Sequence, residues 1–325
     1  MRASVRINFF RFAALLFFLG GSGYYISRQE EMWTVLGEVN RDYVFIMATV
    51  DSLFFLSNAM ILKILLKSFE VSLSVKECLS ISSLAGVGNL LTALRGGTIG
   101  KAVYLKRKYT FPYMSFIAAT SAVALINLNL AALMGVIAIL MIGYSSHSLL
   151  AVLLSFFVAV NLLFCFLLFS PGKIETCRWK ILGKLTSIAK GLDLIRRDRK
   201  LVIKINLLLF FNFSLSIAEL ALSYGAFSID ISLVEVILID TISLFSGIMK
   251  ILPANLGIYE GSIALSSQIL GVGFREGLFA AGLVRVVSIF VMLIFGLIFG
   301  LRILVGEPNS GLADSVIGEK KTAQE

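Results

Sequence analysis

Two short segments of the sequence combine glycine or proline with charged residues at spacings that could bind an anion. In the first, residues 94–101, three glycines fall within five residues, and Arg95 and Lys101 bracket them. Glycine permits a tight turn and close approach of the backbone to a ligand. A helix that begins near Gly100 would direct free N–H groups and its positive end at the same point. The pattern predicts a phosphate or carboxylate site formed by Arg95, Gly96, Gly97, Gly100 and Lys101. Alternatively, both cations only reach cytoplasmic lipid headgroups.

The second segment runs from Lys250 to Gly261. Pro253 lacks an N–H and ends a helix, and Gly257 allows a sharp reversal of the chain. Asn255 is the expected N-cap of the helix that follows. Glu260 then falls in the first turn of that helix, where the macrodipole favours a carboxylate. Glu260 therefore has two interpretations: a capping residue, or a partner for an intramembrane cation or proton. Four residues of this segment join the predicted substrate site: Pro253, Asn255, Gly257 and Glu260.

Further ionisable residues interrupt the apolar segments: Asp51, Glu219, Glu235, Asp240 and Arg285. Each costs about 2.5–3.5 kcal/mol near the centre of a membrane helix, so such residues usually face the protein interior and pair. We predict that Arg285 faces the interior, pairs with Glu260 or Asp240, and contributes to the substrate site. Asp240, Glu219 and Lys250 could form a charge relay. A purely structural salt bridge is the alternative.

The composition excludes several kinds of chemistry. His147 is the single histidine, and the three cysteines have no paired spacing. A Ser-His-Asp triad, a His-based metal site and a CxxC motif are therefore not expected. The sequence also contains no nucleotide-binding motif. We predict no catalytic residues, no metal and no cofactor.

Hydropathy places these residues in a membrane protein. Of 325 residues, 58% are hydrophobic and only 15% are charged, and the mean hydropathy is +0.92. Long apolar runs without strand-like alternation predict an all-α polytopic fold. A span needs about 20 residues. Six segments are predicted to cross the membrane: 9–26, 43–66, 111–142, 149–169, 203–226 and 277–305.

Basic residues set the predicted orientation. Ten of the 29 Lys and Arg lie in residues 173–204, so this connection is cytoplasmic by the positive-inside rule. Counting crossings from it, and from the basic N-terminus, makes both flanks of residues 77–104 cytoplasmic. We therefore predict a re-entrant helical hairpin over 77–104, a second one over 233–271 that enters from outside, and both termini in the cytoplasm. Such inverted repeats bind substrate where half-helices meet. The alternative is two full-length helical hairpins whose glycines serve close packing.

The remaining segments are cytoplasmic. Apolar residues spaced by four and three over 174–200 predict an amphipathic helix on the inner leaflet. A solvated loop is the alternative. This topology accounts for the basic charge, so nucleic-acid binding is not expected. We predict one transmembrane domain over 1–305 and a polar, disordered tail over 306–325.

The two glycine-bearing segments give the chain a family resemblance. Leu94-Arg95-Gly96-Gly97, the stretch from Ala102 to Lys108, the stretch from Leu252 to Glu260, and Arg285 resemble the flippase-like membrane domain of lysylphosphatidylglycerol synthases. Thr98 stands where many members carry Glu, and the Pro often found before the Arg is missing. The fused aminoacyl-transferase domain of those synthases is not expected after residue 305. The resemblance implies lipid translocation and not lipid aminoacylation.

Three hypotheses of function follow. The first is a flippase in the cytoplasmic membrane that moves an anionic lipid or a lipid-linked glycan, alone or as a homo-oligomer. The second is a membrane-embedded headgroup transferase with Glu260 as base. The third is a non-catalytic subunit of an enzyme complex that builds the cell envelope. We favour the first, a transporter and not an enzyme. The flippase hypothesis predicts that Arg95→Ala and Glu260→Ala each abolish transport and leave folding nearly intact.

Overall fold

The structure, a computed structural model, describes residues 39–91, 96–143, 148–169, 199–247 and 255–300. Within these ranges the chain forms nine α-helices and no strand, as the all-α prediction requires. The helices are α1 (Arg41–Lys67), α2 (Val75–Leu91), α3 (Gly96–Tyr109), α4 (Tyr113–Ile142), α5 (Ser148–Phe169), α6 (Arg199–Ala226), α7 (Leu233–Ser246), α8 (Ile258–Ile269) and α9 (Phe274–Phe295), which continues into a π-helical turn (Gly296–Gly300).

Five of these helices are long and apolar enough to cross a membrane. They are Arg41–Lys67, Tyr113–Ile142, Ser148–Phe166, Lys200–Ala226 and Phe274–Gly300, and they coincide with five of the six predicted spans. The sixth, 9–26, lies outside the described residues, as do the tail 306–325 and nearly all of the amphipathic segment 174–200. The protein is therefore a multi-pass membrane protein. Its orientation, its exact number of spans and its inverted repeat stay predictions.

The described helices left over form two short pairs, and both fall where the sequence predicts broken hairpins. α2 and α3 have 17 and 14 residues and pack against each other. α7 and α8 have 14 and 12 residues and also pack against each other. At 1.5 Å per residue, α8 is about 18 Å long, well short of a hydrocarbon core of about 30 Å.

The start of α7 corrects one prediction. The Ser232 hydroxyl accepts a hydrogen bond from the Glu235 N–H at 3.3 Å, and Glu235 Oε2 accepts one from the Ser232 N–H at 2.8 Å. This reciprocal pair is a capping box. Glu235 is therefore a helix cap and not a charge buried in the middle of an apolar segment.

Three helices, α1, α6 and α9, contact one another at the centre of the fold. α1 and α6 are antiparallel, since the Asn40 N–H at the start of α1 donates to the Ala226 carbonyl at the end of α6, at 3.2 Å. Met47, Leu220 and Val287, one from each helix, belong to the same buried cluster. This centre holds Asp51 and Glu219, two of the buried ionisable residues described below.

The outer surface is apolar, as a bilayer requires. On α5, Val152, Leu162 and Phe166 are each at least 60% exposed, whereas Phe157 on the same helix is buried against α4 and α7. Exposed side chains of this kind match the hydrocarbon of lipid tails and need no protein partner.

The three glycines of the first glycine segment lie in a helix, which corrects the prediction that a helix begins near Gly100. α3 begins at Gly96, so Gly97 and Gly100 are both helical. Gly97 is buried, and a Cβ there would collide with the backbone of Ala85 on α2. A Cβ on Gly88 of α2 would in turn lie 2.8 Å from the Gly97 Cα. Gly88 and Gly97 thus let α2 and α3 pack closely, the role the packing alternative assigned to such glycines.

α9 contacts both short pairs, toward its opposite ends. Near its N-terminus, a Cβ on Gly277 would lie 2.8 Å from the Cα of Ala264 on α8. Near its C-terminal end, Met292 lies against Gly86 of α2, and Gly300 against Leu84. α8 runs antiparallel to α9, because Arg285, further along α9 than Gly277, contacts Glu260 at the start of α8. α2 also runs antiparallel to α9, because Cys78 near its start shares a cluster with Phe299 whereas Gly86, eight residues later, lies against Met292. The C-terminal end of α2 and the N-terminal end of α8 therefore point toward the middle of α9.

Candidate functional site

A side chain from α2 accepts a hydrogen bond from one of the backbone N–H groups at the beginning of α3. Asn89 Oδ1 accepts a hydrogen bond from the Thr98 N–H at 3.1 Å, and Asn89 Nδ2 donates to Thr98 Oγ1 at 3.3 Å. The Thr98 N–H is therefore not free for an anion. Gly97 packs against α2. Gly100 is exposed, and a Cβ added to it would meet no atom of the described residues within 4 Å.

Lys101 is the predicted cation that the structure does place beside this helix start. It is half-buried, and its Nζ donates to Ser82 Oγ on α2 at a long 3.4 Å. Arg95, its predicted companion, lies outside the described residues. Among the described residues of the first predicted site, Lys101 is therefore the one whose charge could bind an anionic ligand.

A carboxylate that sequence reasoning missed closes the other end of this helix pair. Glu77, in the first turn of α2, accepts hydrogen bonds from the hydroxyls of Tyr104 and Tyr109, both at 2.7 Å, and from Lys108 Nζ at 3.0 Å. Its three donors lie on α3, 27 to 32 residues away in sequence. Spacing along the chain gives no signal for such contacts. They join the first turn of α2 to the last turn of α3.

This network predicts an acid-sensitive stability. Burial opposes ionisation of Glu77, but the bonds from Tyr104, Tyr109 and Lys108 outweigh it and lower the pKa of Glu77 below its ordinary value of 4.5. A carboxyl with a lowered folded-state pKa stabilises the protein above the unfolded-state value and loses that contribution as the pH falls through the folded-state value. Glu77→Gln should therefore lower the thermal unfolding temperature of purified protein at neutral pH. The difference from wild type should shrink in acid below about pH 4.5.

Glu70→Gln is the matched control, because Glu70 is exposed in the loop before α2. A Glu77→Gln variant that unfolds at the wild-type temperature at neutral pH would show that the network does not hold the pair together.

The second glycine segment starts α8, with a cap different from the predicted one. The N-cap is Gly257, whose φ of 80° favours glycine, and not Asn255. The Glu260 carboxylate caps the helix instead: its Oε2 accepts the Gly257 N–H at 2.7 Å. Asn255 lies before the cap with φ 59°, and its buried Oδ1 has no partner among the described residues. Pro253 and Lys250 lie outside the described residues.

The other oxygen of Glu260 confirms the predicted ion pair. Arg285 Nε on α9 donates to Glu260 Oε1 at 2.6 Å. The Arg285 guanidinium also stacks over the ring of Tyr259 on α8, 5.1 Å from its centroid. Glu260 thus caps α8 and pairs with Arg285 at once, so both of its interpretations hold together. The Arg285 side chain remains 23% exposed and the Glu260 side chain 12%, so the pair is accessible from one side.

One turn further along α9, buried carboxyl groups collect around Ser288. The Ser288 hydroxyl donates to Glu219 Oε1 on α6 at 3.3 Å, and Asp51 on α1 lies close to Ser288 and in electrostatic range of Glu219. Asp240 on α7 accepts a bond from Ser216 of α6 at 2.8 Å and lies within electrostatic range of Glu219. Sequence reasoning linked Glu219 to Asp240 as part of a relay, but it did not bring Asp51 to the same place. We call Asp51, Glu219 and Asp240 the acidic cluster.

Tyr259 connects the ion pair with the acidic cluster. Asp240 and Glu219 of the cluster, and Arg285 and Glu260 of the ion pair, all lie in electrostatic range of its hydroxyl. The described residues include no group of three or more His, Cys, Asp or Glu arranged to hold a metal ion. The site therefore offers a cation, two helix ends and several acids near the middle of α9.

Comparison with known proteins identifies the family of the chain. No curated protein and no solved structure matches the chain. The family model described as "Lysylphosphatidylglycerol synthase TM region" matches residues 6–296, which include every helix described above except the end of the π-helical turn. The chain therefore belongs to the family of lysylphosphatidylglycerol synthase transmembrane regions.

Proposed function

We propose that this protein moves a lipid with an anionic headgroup, or a lipid-linked glycan, across the cytoplasmic membrane. The observation that carries the proposal is the Glu260–Arg285 pair: a partly exposed cation in a helix that is apolar enough to span the membrane, beside the capped end of a short helix. An intramembrane ionisable residue is by default a functional candidate, because burying it is costly. Membership of a lipid-related membrane family supports lipid as the substrate.

The helix directions support a central path for the headgroup. The ends of α2 and α8 point toward the middle of α9 from opposite sides, as expected if the two short pairs are re-entrant hairpins of an inverted repeat. The headgroup phosphate would meet Lys101 near one pair and Arg285 near the other. The acyl chains would stay in the bilayer, so only the headgroup must leave water. Glu260 and the phosphate would compete for Arg285, which makes the ion pair a gate.

The contacts of Glu260 argue against the headgroup-transferase alternative. Its two oxygens are engaged by the Gly257 N–H and by Arg285 Nε. A general base must lie within hydrogen-bond reach of the proton it removes, whereas this carboxylate is held as the cap of α8 and the partner of Arg285. The subunit alternative has no observation in its favour, and it becomes an outcome of the experiment below.

The test is headgroup movement in vesicles that contain the purified protein. Phosphatidylglycerol and phosphatidylcholine, each labelled in the headgroup region with a fluorophore that an impermeant reductant quenches, report movement between leaflets. We expect faster movement of phosphatidylglycerol than in protein-free vesicles. Lys101→Ala should slow it by about tenfold or more, since a hydrogen bond to a charged group contributes about 1.5–3 kcal/mol.

Lys106→Ala is the matched control, because Lys106 lies on the same helix but is exposed. If neither lipid moves faster than in protein-free vesicles, and Lys101→Ala and Arg285→Lys leave the cellular phenotype unchanged, the transport proposal fails. A partner role with enzymes of the cell envelope would then explain the protein better.

A further inference from the structure

We propose that the acidic cluster of Asp51, Glu219 and Asp240 is a proton-binding site that shares a proton at rest and takes up another when an anionic headgroup occupies Arg285. This inference rests on the proposed function and adds the coupling ion to it. The three carboxyls come from three helices, α1, α6 and α7. Glu219 accepts a bond from Ser288 of α9, Ser216 one turn away on α6 donates to Asp240, and Asp51 lies in electrostatic range of Glu219.

Burial is the first reason. Asp51, Glu219 and Asp240 are 3%, 8% and 2% exposed. Like charges at close range in a medium of low dielectric constant cannot all stay ionised, and carboxyl groups in such sites share protons. A neutral carboxyl also avoids most of the cost of burying a charge.

The supply of hydrogen-bond donors is the second, independent reason. Asp51 Oδ2 and Asp240 Oδ2 are buried and have no partner among the described residues. The Ser288 hydroxyl has one proton, which it donates to Glu219, so it leaves none for Asp51 nearby. A carboxyl that carries a proton becomes a hydrogen-bond donor itself, so protonation would supply the donor that is missing. The cluster thus contains acceptor oxygens to which no side chain of the described residues donates a proton.

The charged surroundings set the direction of coupling. α4, which also packs on α6, carries no acidic or basic side chain, and the charged residues of α2 lie in its first turn, by Lys63 of α1 and far from Asp51. The described titratable groups that surround the cluster are Tyr259, Glu260 and Arg285.

When a phosphate neutralises Arg285, the positive potential that favours ionised carboxyls falls, and the cluster binds a proton more tightly. By linkage, protonation of the cluster strengthens binding of the anion by the same factor. The proton and the anionic headgroup would then move as a pair with reduced net charge.

The described residues do not favour a metal ion here, because no three acidic groups are arranged to coordinate one. A proton needs no such arrangement. It needs only one carboxyl oxygen and a route of hydroxyl groups, such as Ser288, Ser216 and Tyr259.

The first experiment needs no lipid substrate. Infrared spectra of purified full-length protein in phosphatidylcholine nanodiscs should show the carbonyl stretch of a protonated carboxyl at neutral pH. Glu219→Gln, which keeps the shape of the side chain and can accept the Ser288 bond, should reduce that band by about twofold or more. Asp42→Asn is the control, since Asp42 lies on α1 but is exposed. A wild-type spectrum without the band, or a band unchanged in Glu219→Gln, Asp51→Asn and Asp240→Asn alike, would overturn the proton site.

The second experiment tests coupling. Short-chain phosphatidylglycerol is added to the same protein in weakly buffered solution with a pH-indicator dye, and its binding is followed in the same samples by equilibrium dialysis. We expect proton uptake with binding, and at least about twofold less uptake in Glu219→Gln than in Asp42→Asn. Binding without uptake, or uptake that depends on sodium, would overturn the coupling and leave the lipid proposal standing. Absence of both binding and vesicle transport would contradict the proposed function itself, whereas the infrared band would still decide the proton site.

Discussion

Arg285→Ala is expected to destabilise the protein by about 3–5 kcal/mol, because it leaves the Glu260 carboxylate without its charged partner. The double variant Glu260→Ala/Arg285→Ala should recover most of that loss, since it removes the orphaned charge as well. It should not recover transport of phosphatidylglycerol, since the cation that meets the phosphate is gone. Unfolding of the purified variants and headgroup movement in vesicles measure the two effects separately.

Arg275→Ala is the control for both measurements, because Arg275 lies on α9 too but is exposed beside Phe279. A double variant that moves lipid at the wild-type rate would show that the pair is a structural salt bridge and no gate.

This expectation revises one made from the sequence alone. From the sequence, Glu260→Ala is expected to abolish transport and to leave folding nearly intact. In the structure the Glu260 carboxylate caps α8 through the Gly257 N–H and holds Arg285. Loss of a cap costs about 1 kcal/mol, and loss of the ion pair with Arg285 adds to that. Glu260→Ala should therefore reduce stability as well as transport.

Gly277→Val is expected to destabilise the protein by up to about 3 kcal/mol, at the upper end of the usual cost of overpacking. A Cβ at Gly277 would lie 2.8 Å from the Ala264 Cα and 2.7 Å from the Ser267 Cβ, so α8 and α9 would have to separate. Ser267 cannot yield easily, because its hydroxyl is buried 2.5 Å from the hydroxyl of Tyr224 on α6. The same separation would move Glu260 away from Arg285, so transport should fall too.

Gly282→Val on the same helix provides the control. A Cβ there meets no atom of the described residues within 4 Å, and the loss of backbone freedom on replacing glycine is the same at both positions. Thermal unfolding of the two purified variants gives the comparison. Equal stabilities would mean that α8 and α9 are not held at the distance the structure shows.

The sequence by itself determined which segments are membrane helices. A helix that crosses hydrocarbon must satisfy its backbone within the segment and present apolar side chains for about 20 residues, so the signal is local and can be read along the chain. The insertion cost of an ionisable residue is also local. It was enough to predict that Arg285 and Glu260 would be found together, and their 2.6 Å contact confirms this.

The tertiary structure decided the roles of the glycines and of the remaining charges. Gly97 resembled part of an anion-binding turn, but its function depends on the backbone of Ala85 across the α2–α3 interface. Glu77 finds its donors on the next helix, and Asp51 lies in electrostatic range of Glu219, 168 positions later in the chain. These contacts depend on which helices pack together and in which direction. Helix packing within a membrane rests on close fit and on a few polar contacts between distant residues, and hydropathy along the chain carries no record of either.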